Sequence, residues 1–173
     1  MLTLIIGGAG SGKSAFAEAL VCRLPGERIY LATMERESRE SLARIEKHRA
    51  QRAGLGFQTV ERCLNLADVP IPEGGNVLLE DLSNLLANET FLPEGRGTEA
   101  VREGLAALRQ RSRHLTVVTN EIFSGGTAYA AETLRFIREL AMMNLELAGE
   151  ADLAVELVCG IPNVLRGELP CLF

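Results

Sequence analysis

The residues best suited to chemistry lie near the start of the chain, in Gly7-Gly8-Ala9-Gly10-Ser11-Gly12-Lys13-Ser14. This run fits G-x-x-x-x-G-K-[ST], the phosphate-binding loop. Its glycines let the backbone wrap a polyphosphate and turn N–H groups inward. The apolar run Leu2-Thr3-Leu4-Ile5-Ile6 precedes it, and a helical pattern from Ala15 to Arg23 follows. The positive end of that helix then meets the same phosphates. In such a loop the lysine, Lys13, reaches the β- and γ-phosphates, and the hydroxyl of Ser14 binds Mg²⁺. All eight residues are candidate nucleotide contacts, and Lys13 is also a candidate catalytic group. The competing reading is a flexible glycine turn.

Two further clusters could act on a bound nucleotide. Glu80 and Asp81 end the apolar run Asn76-Val77-Leu78-Leu79. An acid at the end of a buried strand downstream of a phosphate loop positions Mg²⁺. Neighbours on a strand point to opposite faces, so either Glu80 or Asp81 could be the ligand. The other reading is a cap on the helix that starts at Leu82. Arg44, His48 and Arg52 recur at i, i+4, i+8, with Lys47 and Arg49 beside them. They share one helix face. Surrounding cations lower a histidine's pKa and keep the imidazole neutral and nucleophilic, while arginines grip phosphate oxygens. On spacing alone, a solvated basic face explains these residues better.

The elements that must position these groups alternate. Strands are expected at 2–6, 28–33, 57–61, 76–81, 115–119 and 151–158. Helices are expected at 13–23, 38–52, 82–89, from a Thr98 cap to about 113, and over 129–148. A short helix is expected near 64–67. The first helix should bury Ala15, Phe16, Ala19, Leu20 and Leu24. The helix over 129–148 should turn Leu134, Ile137, Leu140, Ala141, Asn144, Leu145 and Ala148 to one face. A terminal antiparallel strand is placed near 169–172. This alternation predicts an α/β fold: a P-loop NTPase-like, mostly parallel, doubly wound sheet with helices on both faces, forming one domain over 1–173.

The 173 residues are 47% hydrophobic and 24% charged, with a formal net charge of −5. That balance fits a soluble globular protein and argues against nucleic-acid binding or an anionic membrane surface. Lys13 and Lys47 are the two lysines. No stretch resembles a signal peptide or a membrane span, so a cytoplasmic location is expected. Cys22, Cys63, Cys159 and Cys171 are scattered and read as reduced thiols. His48 and His114 lack metal-ligand spacing to any cysteine, and His114 reads as a surface residue.

The loop alone would identify only some P-loop nucleotide-binding protein. Further motifs follow it in order: Ile29-Tyr30-Leu31-Ala32-Thr33, Arg44-Ile45-x-x-His48-x-x-x-Arg52, Thr59-x-Glu61, Leu78-Leu79-Glu80, Asn88 and Val118-Thr119-Asn120-Glu121, then Asn144, Ala148 and Gly160-Ile161-Pro162. Together they resemble the bifunctional adenosylcobinamide kinase / adenosylcobinamide-phosphate guanylyltransferase family of cobalamin biosynthesis, over most of the chain.

The resemblance implies two reactions. A nucleoside triphosphate, ATP or GTP, phosphorylates the aminopropanol hydroxyl of adenosylcobinamide. GTP then guanylylates a histidine, matched by His48, and GMP passes to adenosylcobinamide phosphate. It also implies nucleotide contacts at Ala32, Thr33, Met34, Arg49, Ala50, Gln51, Arg52, Glu61 and Glu80, a homotrimer, and a histidine helix that moves when GTP binds. The sequence departs from the family where Ala53-Gly54 follow Arg52, where Phe57 stands for a tryptophan, and along Ile122-Phe123-Ser124-Gly125-Gly126-Thr127. A diverged P-loop kinase for another small substrate and a non-catalytic nucleotide-binding regulator are the alternatives. The His48 face separates them from the first reading.

Overall fold

The computed structural model describes residues 1–34, 52–125 and 128–170. The expected helix over 38–52 and the residues Arg44, Lys47, His48, Arg49, Ala50 and Gln51 therefore lie outside the described residues, except for Arg52.

Seven strands form one sheet among the described residues: β1 (Leu2–Gly7), β2 (Arg28–Ala32), β3 (Phe57–Glu61), β4 (Asn76–Leu79), β5 (His114–Asn120), β6 (Leu153–Val158) and β7 (Ile161–Arg166). Their order is β3-β2-β4-β5-β1-β6-β7. All neighbouring pairs are parallel except β6 with β7. The central strands are apolar on both faces because both faces are covered, as buried parallel sheets require. Leu2, Leu4, Leu31, Leu79, Val117 and Ala154 pack against α2 (Leu82–Phe91), α3 (Thr98–Arg111) and α4 (Ala131–Glu150). Ile5, Tyr30, Leu78, Val118 and Val155 pack on the other face with α1 (Lys13–Cys22). Each fully buried leucine here contributes about 1.5–3 kcal/mol by leaving water.

Several expectations need correction. Helix α1 buries Ala17, Glu18, Leu20 and Val21, whereas Ala15 and Ala19 are exposed. The loop before α1 fixes its rotation, and Ala15 faces the cleft described below. Gly97, not Thr98, is the N-cap of α3. The Thr98 hydroxyl instead donates to Glu139 Oε2 at 2.7 Å, joining α3 to α4. Helix α4 leaves Leu134 and Leu145 exposed, while Leu140, Met143, Asn144 and Leu147 are buried. The antiparallel strand is Ile161–Arg166, ahead of the expected 169–172. The turn that makes it is Cys159-Gly160, with φ of 51° and 80°. Positive φ at both central residues is what a two-residue hairpin demands. The short helix is a single 3₁₀ turn at Leu66–Asp68. His114 is half-buried at the start of β5. No helix among the described residues is long and apolar enough to cross a membrane.

Candidate nucleotide site

Parallel strands end on one edge of the sheet, and crevices beyond their carboxyl ends bind ligands. The loop from Gly7 to Ser14 leaves β1 there. Gly10 and Gly12 adopt φ of 71° and 91°, which a Cβ would disfavour. Close approach rather than φ explains Gly7: a Cβ built on it falls 2.5 Å from Ser11 Oγ and 2.7 Å from Leu157 O. The Gly160 N–H in the β6–β7 turn donates to Ser11 O at 2.8 Å and braces the loop from the far side. Helix α1 has no side-chain cap on its first turn. Its leading N–H groups are thus left for an anion.

The loop floors a cleft of about 680 Å³, within the range of small-ligand sites. Ala9, Gly10, Ser11, Gly12, Lys13 and Ser14 line it, and Met34, Glu80 and Asp81 face them. Lys13 Nζ donates to Gly8 O at 3.0 Å. Burial pushes the Lys13 pKa down, and the Asp81 carboxylate opposes that shift. A second crevice, of about 380 Å³ between α3 and α4, sits beside the amino ends of β1 and β5, away from these groups.

The two strand-end acids have different surroundings. Asp81 is the N-cap of α2 and also faces the cleft. Its Oδ1 accepts from Ser83 N at 2.9 Å, Asn84 N at 3.3 Å, the Ser83 hydroxyl and Asn120 Nδ2 at 3.1 Å. Its Oδ2 accepts from Asn120 Nδ2 at 2.9 Å. Glu80 is raised in pKa, first by burial, while nearby Arg52 lowers it and Asp81 raises it. The Tyr30 hydroxyl faces Glu80 closely enough to affect it, yet makes no well-formed hydrogen bond among the described residues. A carboxyl held towards its protonated form is a poor cation ligand.

The remaining expected contacts lie around the cleft rather than on its lining. Thr33 is fully buried, and its hydroxyl donates to Asp81 O at 3.0 Å. Asn88 Nδ2 donates to Thr33 O at 2.8 Å and Cys63 O at 3.2 Å, tying the end of β2 to α2. Ala32 closes β2 beneath them. Arg52 is buried: its guanidinium lies 3.4 Å from the Tyr30 ring centroid and 3.9 Å from Glu18. Phe57 packs edge-on to Tyr30, ring centroids 5.9 Å apart. Glu61 is exposed at the end of the edge strand β3. Gly7 and Gly8 form the root of the loop.

Asn84, Asn120 and Ile122 also line the cleft, and none of them is among the site residues expected from the sequence. Asn120 was within reach, as a polar residue ending an apolar strand run. Asn84, three residues beyond a capping acid, carried no signal of its own.

The donors suit Mg²⁺, a hard cation that takes one or two protein oxygens and keeps phosphate and water for the rest. The Ser14 hydroxyl and Asp81 Oδ2 supply such oxygens. No group of three or more His, Cys, Asp or Glu capable of holding a metal by itself occurs among the described residues. Cys22, Cys63 and Cys159 are free thiols.

Comparison with known proteins adds independent support. Residues 3–165 match the family model described as cobinamide kinase / cobinamide phosphate guanyltransferase. The chain is 31% identical over 172 residues to the bifunctional adenosylcobalamin biosynthesis protein CobP of Pseudomonas aeruginosa, covering 97% of this chain and 99% of that protein. It is 31% identical over 179 residues to the bifunctional adenosylcobalamin biosynthesis protein CobU of Escherichia coli K12, covering 93% and 97%. The similarly named protein of Salmonella typhimurium is 29% identical with the same coverage.

Proposed function

The chain belongs to the cobinamide kinase / cobinamide phosphate guanyltransferase family, and we propose that its one P-loop cleft serves both reactions of that family. It is a bifunctional enzyme of adenosylcobalamin biosynthesis. The observation that carries the reading is the convergence of Lys13, Ser14 and Asp81 on one cleft at the carboxyl edge of the sheet.

In the kinase step, the aminopropanol hydroxyl oxygen of adenosylcobinamide attacks the γ-phosphorus of ATP or GTP. The bridging P–O bond breaks, the nucleoside diphosphate leaves and the hydroxyl proton is lost. Lys13 and the N–H groups of the loop stabilise charge on the phosphoryl oxygens. In the second reaction, an imidazole nitrogen of His48 attacks the α-phosphorus of GTP and expels pyrophosphate. A phosphate oxygen of adenosylcobinamide phosphate then displaces the histidine, giving adenosylcobinamide-GDP. Ser14 and Asp81 would hold Mg²⁺, which when bound would neutralise charge on the phosphates. Glu80 is assigned to the nucleotide rather than to the metal, a reading supported by the burial that raises its pKa. Thr33, Arg49, Arg52 and Glu61 are assigned to the nucleotide by family likeness.

The same likeness underlies a cytoplasmic location and a homotrimer. Exposed Leu134, Met142 and Leu145 on α4 suit an interface between copies.

The test uses [α-³²P]GTP with Mg²⁺, followed by assays of both half-reactions on adenosylcobinamide. The wild type acquires an acid-labile, base-stable label on His48. His48→Ala loses the label and keeps the kinase step. Sound GTP binding without a label overturns the transferase assignment and leaves a kinase alone. Failure to phosphorylate adenosylcobinamide overturns the kinase assignment.

A further inference from the structure

We propose that Asn120 is a positioning residue of the nucleotide site, holding the Asp81 carboxylate in place across the gap between two non-adjacent strands. The inference rests on the functional reading only in taking the cleft as a Mg²⁺–nucleotide site.

The strand order creates the need. The phosphate loop leaves β1, Asp81 follows β4, and β5 runs between those strands. Adjacent strands lie about 4.8 Å apart, so β1 and β4 end roughly 10 Å apart. Asn120 is the last residue of β5 and stands opposite Gly7 in the ladder. Its side chain therefore emerges between the loop and the acid.

Its amide nitrogen donates to both Asp81 oxygens, at 3.1 and 2.9 Å, and also reaches the Ser83 hydroxyl. Backbone and hydroxyl donors of α2 gather on Oδ1. Among the described residues, Oδ2 takes a hydrogen bond from Asn120 and from no other group. Helix capping alone fixes one oxygen of the carboxylate; Asn120 fixes the rotation of the other. An amide suits the task because it donates without carrying charge, so it does not compete with a cation for the carboxylate.

Asn120 is itself held from the opposite face. The Thr119 hydroxyl, fully buried, donates to Asn144 Oδ1 at 2.9 Å. Asn144 Nδ2 reaches back to Asn120 O at 3.5 Å. Asn144 belongs to α4 and is buried. A polar relay thus runs from α4 through the end of β5 to the carboxylate. It accounts for a buried asparagine in an apolar helix face, which would be costly without partners.

The experiment measures GTP affinity by calorimetry, with and without Mg²⁺. The wild type is expected to bind GTP more tightly with the cation. Asn120→Ala is expected to lose about tenfold of that Mg²⁺-dependent gain, the size of one hydrogen bond to a charged group. Its Mg²⁺-free affinity stays within about twofold of wild type, because loop contacts set that term. Asn144→Leu shifts the gain the same way by a smaller factor. Asn120→Ser, which keeps a donor, recovers part of the gain and serves if the alanine variant fails to fold. An unchanged gain in Asn120→Ala overturns the proposal. So does an equal loss with and without Mg²⁺, which marks a purely structural residue, and so does a wild type indifferent to Mg²⁺. Absence of the His48 label or of kinase turnover would sink the functional reading without touching this binding readout.

Discussion

Gly7→Ala probes the contact between the phosphate loop and the sheet. The added methyl would sit 2.5 Å from Ser11 Oγ and 2.7 Å from Leu157 O. The serine side chain can move; the carbonyl is in the backbone of β6, paired with β1 at this level. Relief must come from separating the strands or from displacing the loop. Overpacking of this kind costs about 1–3 kcal/mol. For a chain of this size that lowers Tm by roughly 2–12 °C, at about 2–4 °C per kcal/mol. If about half of the strain is relieved by moving the loop off its anion-binding geometry, about 0.5–1.5 kcal/mol is lost from binding and GTP affinity falls roughly 2- to 12-fold. Gly8→Ala is the control, since a Cβ there meets nothing within 4 Å. Its φ is not left-handed, so stability should hold or rise by about 0.4–1 kcal/mol. Thermal unfolding and calorimetric GTP titration of both variants decide the matter. Equal Tm and equal Kd for the two would refute the steric argument.

Lys13→Ala should weaken GTP binding and lower kinase turnover by at least about 100-fold, the scale of one lost charge-stabilising donor. It should cost about 1 kcal/mol or less in urea unfolding, since its bond to Gly8 O is the hydrogen bond removed. His114 should impose a pH dependence on stability. Burial, the charged N-terminus and Arg113 lower its pKa, and Asp152 partly offsets them. Its folded pKa thus lies below the unfolded value of about 6.5, so the unfolded chain takes up a proton first. The His114 contribution is intact above about pH 6.5 and falls as pH drops towards the folded value. His114→Gln should flatten that segment of the curve, read as the wild-type minus variant difference in urea midpoint between pH 8 and pH 5.

The alternation of strands and helices was legible because buried parallel strands are nearly all apolar and amphipathic helices separate them. Phe57–Glu61 could be read as a strand despite its exposure, and the structure places it at the sheet edge. The rotation of α1 was not legible. Alanine packs equally well on either face, and Ala15 is turned to the cleft by the loop that starts the helix. Strand β7 was misplaced because most of its residues are exposed, leaving no apolar alternation to find. Its hairpin turn is Cys-Gly rather than the Asn-Gly that advertises such turns. Thr98 follows Gly97 and looks like a cap, yet its hydroxyl is engaged by Glu139 from α4.

The sequence by itself determined the phosphate loop, since its chemistry is local: glycine φ angles, a following helix dipole, a lysine and a hydroxyl at fixed spacing. It also narrowed the acid to two neighbours. Tertiary structure alone gave them different surroundings: both line the cleft, but Glu80 lies beside Tyr30 and Arg52, whereas Asp81 caps α2 and accepts from Asn120. It alone set β5 between β4 and β1, so that Asn120 stands between acid and loop. Strand order arises from which crossovers pack two apolar faces at once, and no spacing along the chain records it.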